Sequence, residues 1–186
     1  MTGGWRQNRG GITATEVIHY TPATTVPDTG REGYCWTASI AAPRPGAWRC
    51  MEGNAIHDPC FSVASGAAAV CGADPPTNNQ GFRMTLTRPL PPPETPPVSP
   101  QNNGAWLVQL QDGTLCTPFT GTRALIAGEI AVYGCAAQKR GEQTVLLGDL
   151  DDSKPIWTAR KAVVLKAASG WRLKARRTVR VKAVWQ

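Results

Sequence analysis

The sequence predicts an all-β fold, a disulfide-stapled antiparallel sandwich or barrel of about nine or ten strands with few or no helices. Three observations support this prediction. Apolar residues recur with a period of two in several segments. The 186 residues include 19 glycines and 16 prolines, which shorten regular elements and favour turns. Six cysteines at irregular spacing indicate a disulfide framework.

Two hairpins are the clearest elements in the sequence. Segment 106–111 alternates apolar and polar residues before a turn at 112–113, and segment 123–126 returns through 129–133 after a turn at 127–128. Residues 82–86 alternate in the same way. Further strands are predicted at 34–40, 47–51, 67–71 and 144–147, with two longer ones at 156–165 and 171–185.

The chain is expected to contain one domain after an extended segment. Residues 1–33 are interpreted as a linker or stalk, because threonines and prolines leave no hydrophobic period there. Residues 34–186 are predicted to form a single all-β domain. It includes a stiff Pro-rich surface loop at 88–104 and a basic C-terminal hairpin at 156–186. No transmembrane segment is predicted in this piece, so we expect an export signal or anchor upstream of Met1.

The cysteines are expected to form three disulfides, which places the chain in an oxidising compartment. Short loops favour the pairs Cys50–Cys60 and Cys116–Cys135, which would leave Cys35 and Cys71 to pair, although the sequence does not choose among the possible connectivities. Zinc and redox sites usually need close pairs such as C-x2-C, and none occurs. We therefore predict no metal and no cofactor. The predicted disulfide residues are Cys35, Cys50, Cys60, Cys71, Cys116 and Cys135.

No catalytic residue is predicted. A Ser-His-Asp combination can be written from His57, Asp58 and one of Ser39, Ser62 or Ser65. The flanking sequence contains no G-x-S-x-G element that would position a nucleophile, and triads are defined by geometry rather than by residue types. A loop histidine beside a turn-capping aspartate is the preferred interpretation.

Seven tryptophans are many for a chain of this length. Trp36, Trp48, Trp106 and Trp157 are expected to fill the interior beside the disulfides. The alternative is that exposed tryptophans form an aromatic platform for sugar rings or peptides.

Positive charge is concentrated at the C-terminal end. Residues 160–186 contain nine of the 20 Lys and Arg residues and none of the 13 Asp and Glu residues. A strand with regular alternation would place five of these cations on one face, where they would suit an anionic polymer. The alternative is a solvated edge strand whose charges prevent aggregation. The candidate anion-binding residues are Arg172, Lys174, Arg176, Arg180 and Lys182.

The segments around the cysteines have a recognisable pattern: 33–40, 44–51 and 58–61, then 112–114 before Cys116, 133–135 and 148–149. This pattern resembles uncharacterised exported domains of actinobacterial and related bacterial surface proteins. The likeness covers residues 33–164. It implies a bacterial extracytoplasmic module, often downstream of an anchor or another domain, and it implies no activity or catalytic residue.

The expected function is that of a non-enzymatic binding or structural module of a bacterial cell-surface or secreted protein. Its partner would be an anionic cell-wall polymer or another surface protein, and nucleic acid is not favoured. One alternative is an extracellular hydrolase with unidentified catalytic groups. Another is a secreted peptidase inhibitor with an exposed loop at 51–59.

Overall fold

The computed structural model describes residues 13–23, 25–63, 65–92, 104–136, 139–168 and 170–186. In these residues the chain is all-β, as predicted, with thirteen strands rather than nine or ten and with only one turn of 3-10 helix, Pro75–Thr77. No helix in these ranges has the length and hydropathy to cross a membrane. Most of the predicted Pro-rich loop, 93–103, and residues 1–12 of the predicted stalk lie outside the described residues.

Most successive strands are close in sequence, although residues 87–106 separate one pair. In chain order they are β1 (Glu16–Ile18), β2 (Asp28–Ala38), β3 (Ala47–Glu52), β4 (Ala55–Ser62), β5 (Ala68–Cys71), β6 (Phe82–Leu86), β7 (Leu107–Leu110), β8 (Leu115–Pro118), β9 (Leu125–Ile126), β10 (Glu129–Cys135), β11 (Glu142–Asp151), β12 (Thr158–Ala167) and β13 (Gly170–Trp185). Both predicted hairpins are present, as β7–β8 and β9–β10.

Strands β2 to β6 form the first barrel. Each strand pairs antiparallel with the next, so an odd number of strands leaves the first and last running in the same direction. The barrel therefore closes through a parallel pairing of β2 with β6, in which Arg31 lies opposite Met84. Its interior is built around two disulfides, and the buried residues there are Cys35, Trp48, Cys50, Cys60, Ala69, Cys71 and Met84.

Strands β7, β8, β10, β11, β12 and β13 form the second barrel. They pair antiparallel in that order, and β13 pairs again with β7, which closes the ring. Closure is antiparallel here because the number of strands is even. Strand β1 adds to the outer side of β13 in parallel, with Glu16 opposite Ala183.

The sheet of the second barrel buries both of its faces. The interior contains residues from all six strands, including Val108, Cys116, Tyr133, Leu146 and Val181. Residues with the opposite alternation form a second core on the outer face, which the β9–β10 hairpin and Phe119 cover. This outer core contains Ile126, Ala131, Val145, Leu147, Ala162 and Val164.

An apolar joint holds the two barrels together. Phe61 of the first barrel packs against Trp106 of the second at a ring-centroid distance of 5.5 Å. Tyr20 contacts both rings, at 5.1 Å and 5.3 Å, and its carbonyl accepts a 2.7 Å hydrogen bond from Arg44. The segment between β1 and β2 therefore belongs to the interface between the barrels.

The three disulfides are present, but of the predicted pairings only Cys116–Cys135 is correct. The bonds are Cys35–Cys50, Cys60–Cys71 and Cys116–Cys135, so Cys50 and Cys60 do not pair. In each observed pair the two cysteines lie directly opposite each other on neighbouring strands. Cys50 and Cys60 lie on the paired strands β3 and β4, but the register set by the turn at Gly53 and Asn54 places Cys60 opposite Trp48 and Cys50 opposite His57.

Two segments expected to be irregular contain strands. Residues 13–33, expected to be part of an extended linker, contain β1 and the first half of β2, and the Thr15 hydroxyl donates a 2.8 Å hydrogen bond to the carbonyl of Val181. Residues 51–59, the exposed loop of the inhibitor hypothesis, lie mostly in β3 and β4. Only Gly53 and Asn54 lie between these two strands.

Candidate functional site

The residues of the possible triad do not assemble into one. The His57 imidazole lies 3.1 Å from Glu52 Oε2 and contacts the Phe82 ring, whereas the Ser39 hydroxyl donates to Asp58. Ser62 Oγ donates to the carbonyl of Gly46, and Ser65 Oγ accepts from the N–H of Ala67. Asp58 therefore contacts Ser39 directly, with no histidine between them, so a Ser-His-Asp triad is not formed.

Asp58 fixes a turn between β2 and β3. Its carboxylate accepts hydrogen bonds from Ser39 Oγ at 2.5 Å and from the N–H groups of Ile40 and Ala41 at 3.2 Å and 3.3 Å. Burial raises the pKa of Asp58, and these hydrogen bonds together with Arg49 oppose the shift. Since all the described contacts of the carboxylate are to groups of its own barrel, its role is to hold the turn.

A groove of about 400 Å³ lies between the two barrels. Pro59 and Phe61 line it from the first barrel, and Trp106 and Pro118 line it from the second. Arg49 bridges the barrels there, because its guanidinium donates a 3.1 Å hydrogen bond to the carbonyl of Thr120. The lining of the groove mixes these apolar side chains with polar groups such as His57 and Thr117, and its buried acid, Asp58, is already satisfied.

The five predicted anion-binding residues lie on β13, but they do not form one stripe. Lys174 is an extra residue in the pairing with β12, and Lys182 is an extra residue in the pairing with β7. The extra residue at 174 reverses the alternation, so Arg172 and Arg176 lie on opposite faces of the sheet. Lys174 pairs with Glu142 and Arg176 with Glu129. Arg172, Arg180 and Lys182 are exposed, with no ion pair among the described residues.

Positive charge is concentrated elsewhere, at the end of the second barrel where β11 begins and β12 ends. An open hollow of about 520 Å³ is lined there by Lys139, Arg140, Lys166 and Trp171. The strand register explains the grouping, because Lys166 lies opposite Trp171 and its N–H bonds to the carbonyl of Gly141 at 3.4 Å. We call this feature the basic hollow.

The basic hollow has a strong excess of cations. Glu142 is the one acid in its lining, and Lys174 occupies that carboxylate and lowers its pKa. Lys139, Arg140 and Lys166 have no ion pair among the residues that the structure describes. Trp171 is 38% exposed, unlike the buried Trp48 and Trp106. The hollow therefore offers three available cations beside an aromatic ring.

The sequence contained only part of the signal for this hollow. The dipeptide Lys139-Arg140 and the lysine at 166 are visible, but they are 26 or more residues apart. The β11–β12 register, with Glu142 opposite Leu165, brings them together. Trp36 also departs from expectation, because it is 37% exposed rather than buried with the disulfides.

These features define a class of protein: a disulfide-bonded, two-barrel all-β module with an exposed basic hollow at one end. Comparison with family models, with curated proteins and with solved structures gave no match to this chain.

Proposed function

We propose that the chain is a non-enzymatic binding module of a bacterial cell-surface or secreted protein, and that it binds an anionic polymer at the basic hollow. Three disulfides in an all-β fold are compatible with an extracellular module. The predicted contact strand, β13, contributes Trp171 to this surface.

The observation that supports this proposal best is the unbalanced charge of the basic hollow. Most acids near β13 are already paired: Glu129 binds Arg160 and Arg176, and Asp112 binds Lys161 at 2.8 Å. The lysines and the arginine of the hollow keep their charge available to a ligand. Cations grouped on one surface attract a polyanion, and the attraction weakens with salt.

An acidic polysaccharide or a polyol-phosphate polymer has the chemistry that this surface would recognise. Its phosphate or carboxylate groups would contact Lys139, Arg140 and Lys166. The exposed face of Trp171 would pack against the carbon atoms of the polymer between the charged groups.

The test is the affinity of the full chain for dextran sulfate, with uncharged dextran as the reference ligand. We expect binding to dextran sulfate that falls steeply between about 50 mM and about 200 mM salt. The double variant Lys139→Gln/Lys166→Gln removes two of the three available cations, so we expect at least about a tenfold loss of affinity.

The matched control is Arg83→Gln/Lys154→Gln. It changes the net charge by the same amount, but Arg83 lies on the first barrel and Lys154 lies in the β11–β12 loop, at the opposite end of these strands. The control should bind like the unmodified chain. Equal losses in the two double variants would contradict the proposal, because they would show that binding follows net charge alone.

A further inference from the structure

A second hollow adjoins the basic hollow and is apolar. It has a volume of about 190 Å³ and lies on the outer face of the second barrel, under the β9–β10 hairpin. Its apolar lining is formed by Phe119, Ala124, Ile126, Ala131, Val145 and Val164. We call it the apolar pocket.

The apolar pocket and the basic hollow share Gln143 and Trp171 in their linings. The strand register explains why they adjoin. Gln143 lies opposite Val164, and Val164 lies opposite Leu173, so these three residues form one row on the outer face. Trp171 and Lys166 form the next row toward the end of the barrel. The outer face thus changes from apolar to basic within one row.

The cations around the apolar pocket are more available at one end than at the other. Glu129, on the β9–β10 hairpin, forms ion pairs with both Arg160 and Arg176, so these two cations at the far end of this face are already engaged, although one positive charge remains in excess. At the near end neither Lys139 nor Lys166 forms a direct ion pair with a described residue, and the nearby carboxylate, Glu142, is already bound by Lys174. A ligand lying across both hollows would meet apolar side chains at one end and positive charge at the other.

The hairpin that covers the apolar pocket also has exposed apolar residues. Leu125 is 69% exposed and Ile130 is 39% exposed, and they lie opposite each other in the β9–β10 hairpin. Their chain neighbours, Ala124 and Ala131, line the apolar pocket, so strand alternation directs Leu125 and Ile130 to the other face of the hairpin. The pocket is therefore formed by the inward-facing residues of the hairpin and by the sheet beneath it.

From this juxtaposition we propose that the second barrel binds an anionic amphiphile, with the alkyl chain in the apolar pocket and the phosphate or carboxylate headgroup in the basic hollow. The headgroup half of this inference rests on the proposed function. If a methylene group needs about the volume of a water molecule, roughly 30 Å³, the apolar pocket holds about six of them. About six of the eight carbons of an octyl chain therefore fit in the pocket, and the remaining carbons would lie between the pocket and the headgroup.

The test compares three monomeric probes by titration calorimetry on the full chain: octyl phosphate, glycerol phosphate and octanol. Octyl phosphate should bind at least about 100-fold more tightly than glycerol phosphate, because several methylene groups leave water. It should also bind at least about tenfold more tightly than octanol, because only the phosphate contacts Lys139 and Lys166. Equal binding of octanol and octyl phosphate would overturn the proposal.

Variants separate the two halves of the site. Ala124→Leu fills the apolar pocket without removing a core residue, so octyl phosphate should then bind no better than glycerol phosphate. Ala55→Leu, the same substitution at an exposed position of β4 in the first barrel, is the matched control and should leave the affinity unchanged. If Ala124→Leu binds octyl phosphate as tightly as the unmodified chain does, the alkyl chain does not occupy this pocket and the inference fails.

The same preparation is tested with dextran sulfate so that two failures can be distinguished. Binding of dextran sulfate without any preference for octyl phosphate would overturn this inference and leave the proposed function intact. Loss of both interactions would overturn both. Sedimentation with phosphatidylglycerol vesicles, compared with phosphatidylcholine vesicles, identifies the source of the amphiphile: binding to the anionic vesicles supports a membrane lipid, and binding of monomeric octyl phosphate alone supports a free amphiphile.

Discussion

The two barrels differ in what fills them. The interior of the first barrel contains four cysteine sulfurs, the Met84 thioether and Trp48, whereas the interior of the second is filled mainly by branched aliphatic side chains around Tyr133. The first barrel spans only residues 28–86, too few to bury much apolar surface, so disulfides replace part of the missing core. The longer strands of the second barrel fill the interior and form an outer face as well.

The two barrels also differ in how they use buried polar groups. In the first barrel the Asp58 carboxylate organises a turn through three hydrogen bonds. In the second, the Tyr133 hydroxyl makes a 3.0 Å hydrogen bond to the carbonyl of Ala105 within an apolar core. The first barrel thus depends on cross-links and polar contacts, and the second depends on packing, which leaves its outer surface available for ligands.

Among the variants, removal of a disulfide should have the largest effect on stability, and the effect should be larger in the first barrel than in the second. The three loops span 11, 15 and 19 residues, so loop entropy alone would make the bonds nearly equivalent. We expect Cys60→Ala/Cys71→Ala to lower the free energy of unfolding by about 5 kcal/mol and Cys116→Ala/Cys135→Ala by about 3 kcal/mol, because the second barrel retains most of its core. Urea unfolding followed by circular dichroism measures both.

The variants should also differ in which barrel loses structure. Proteolysis of Cys60→Ala/Cys71→Ala should cut within 28–86 first. A larger loss of stability in Cys116→Ala/Cys135→Ala would contradict the comparison between the barrels.

Asp58→Ala should have the next largest effect, about 3 kcal/mol, because it leaves the Ser39 hydroxyl and the N–H groups of Ile40 and Ala41 buried without an acceptor. Asp58→Asn should cost about 2 kcal/mol, since the amide retains one acceptor oxygen. Urea unfolding of the three proteins gives the order. If Asp58→Ala leaves the free energy of unfolding unchanged, the turn does not need the carboxylate.

Tyr133→Phe should cost only about 1 kcal/mol, because the ring stays in the core and one hydrogen bond is lost. Burial raises the pKa of Tyr133, so the hydroxyl stays protonated and remains a donor near neutral pH. Thermal unfolding measures the change. A cost equal to that of Asp58→Ala would mean that both barrels depend equally on buried polar contacts.

The smallest effects concern pH, and they should have opposite signs in the two barrels. Lys161 and Thr114 hold the pKa of Asp112 below its usual range, so its contribution to stability is present above about pH 4 and is lost as the pH falls through the lowered folded value. The raised pKa of Asp58 gives a contribution that is present below about pH 4 and is lost as the pH rises through the raised folded value.

Unfolding curves between about pH 2 and about pH 6 test these signs. Asp112→Asn should flatten the loss of stability in acid, and Asp58→Asn should remove the decline above about pH 4. Glu32→Gln is the control, because this exposed carboxylate has no ion pair among the described residues. It should change neither the loss of stability in acid nor the decline at higher pH. Matching pH profiles for Asp112→Asn and the unmodified chain would show that the Lys161 contact adds no stability.

Local patterns in the sequence were sufficient for the fold class and for both predicted hairpins. The turns Asp112–Gly113 and Ala127–Gly128 lie between short alternating segments, so all the information needed is contiguous. Strand β1 lacks such a signal, because its three residues are stabilised by pairing with β13, more than 160 residues away. Strand β4 was not predicted because it contains Pro59. Proline is tolerated within strands mainly at irregular positions, and Pro59 lies at such a position in the pairing of β4 with β3.

The site could not be predicted fully from the sequence because it depends on the register of the paired strands. The disulfide pairs follow from which cysteines lie opposite each other, and shifts near Trp36 and in β4 cannot be read from residue spacing. The extra residue at Lys174 likewise divided the predicted basic stripe between two faces. The basic hollow needs the β11–β12 register as well, and no local pattern in the sequence specifies it.

Hydrogen exchange of the full chain with and without dextran sulfate tests the central claim most directly, because it locates the ligand without any substitution. We predict slower exchange at 139–143 and 164–173, around Lys166 and Trp171, and unchanged exchange in the first barrel. Protection confined to the groove between the barrels, around Phe61 and Trp106, would contradict the account, as would binding with no protection in the second barrel.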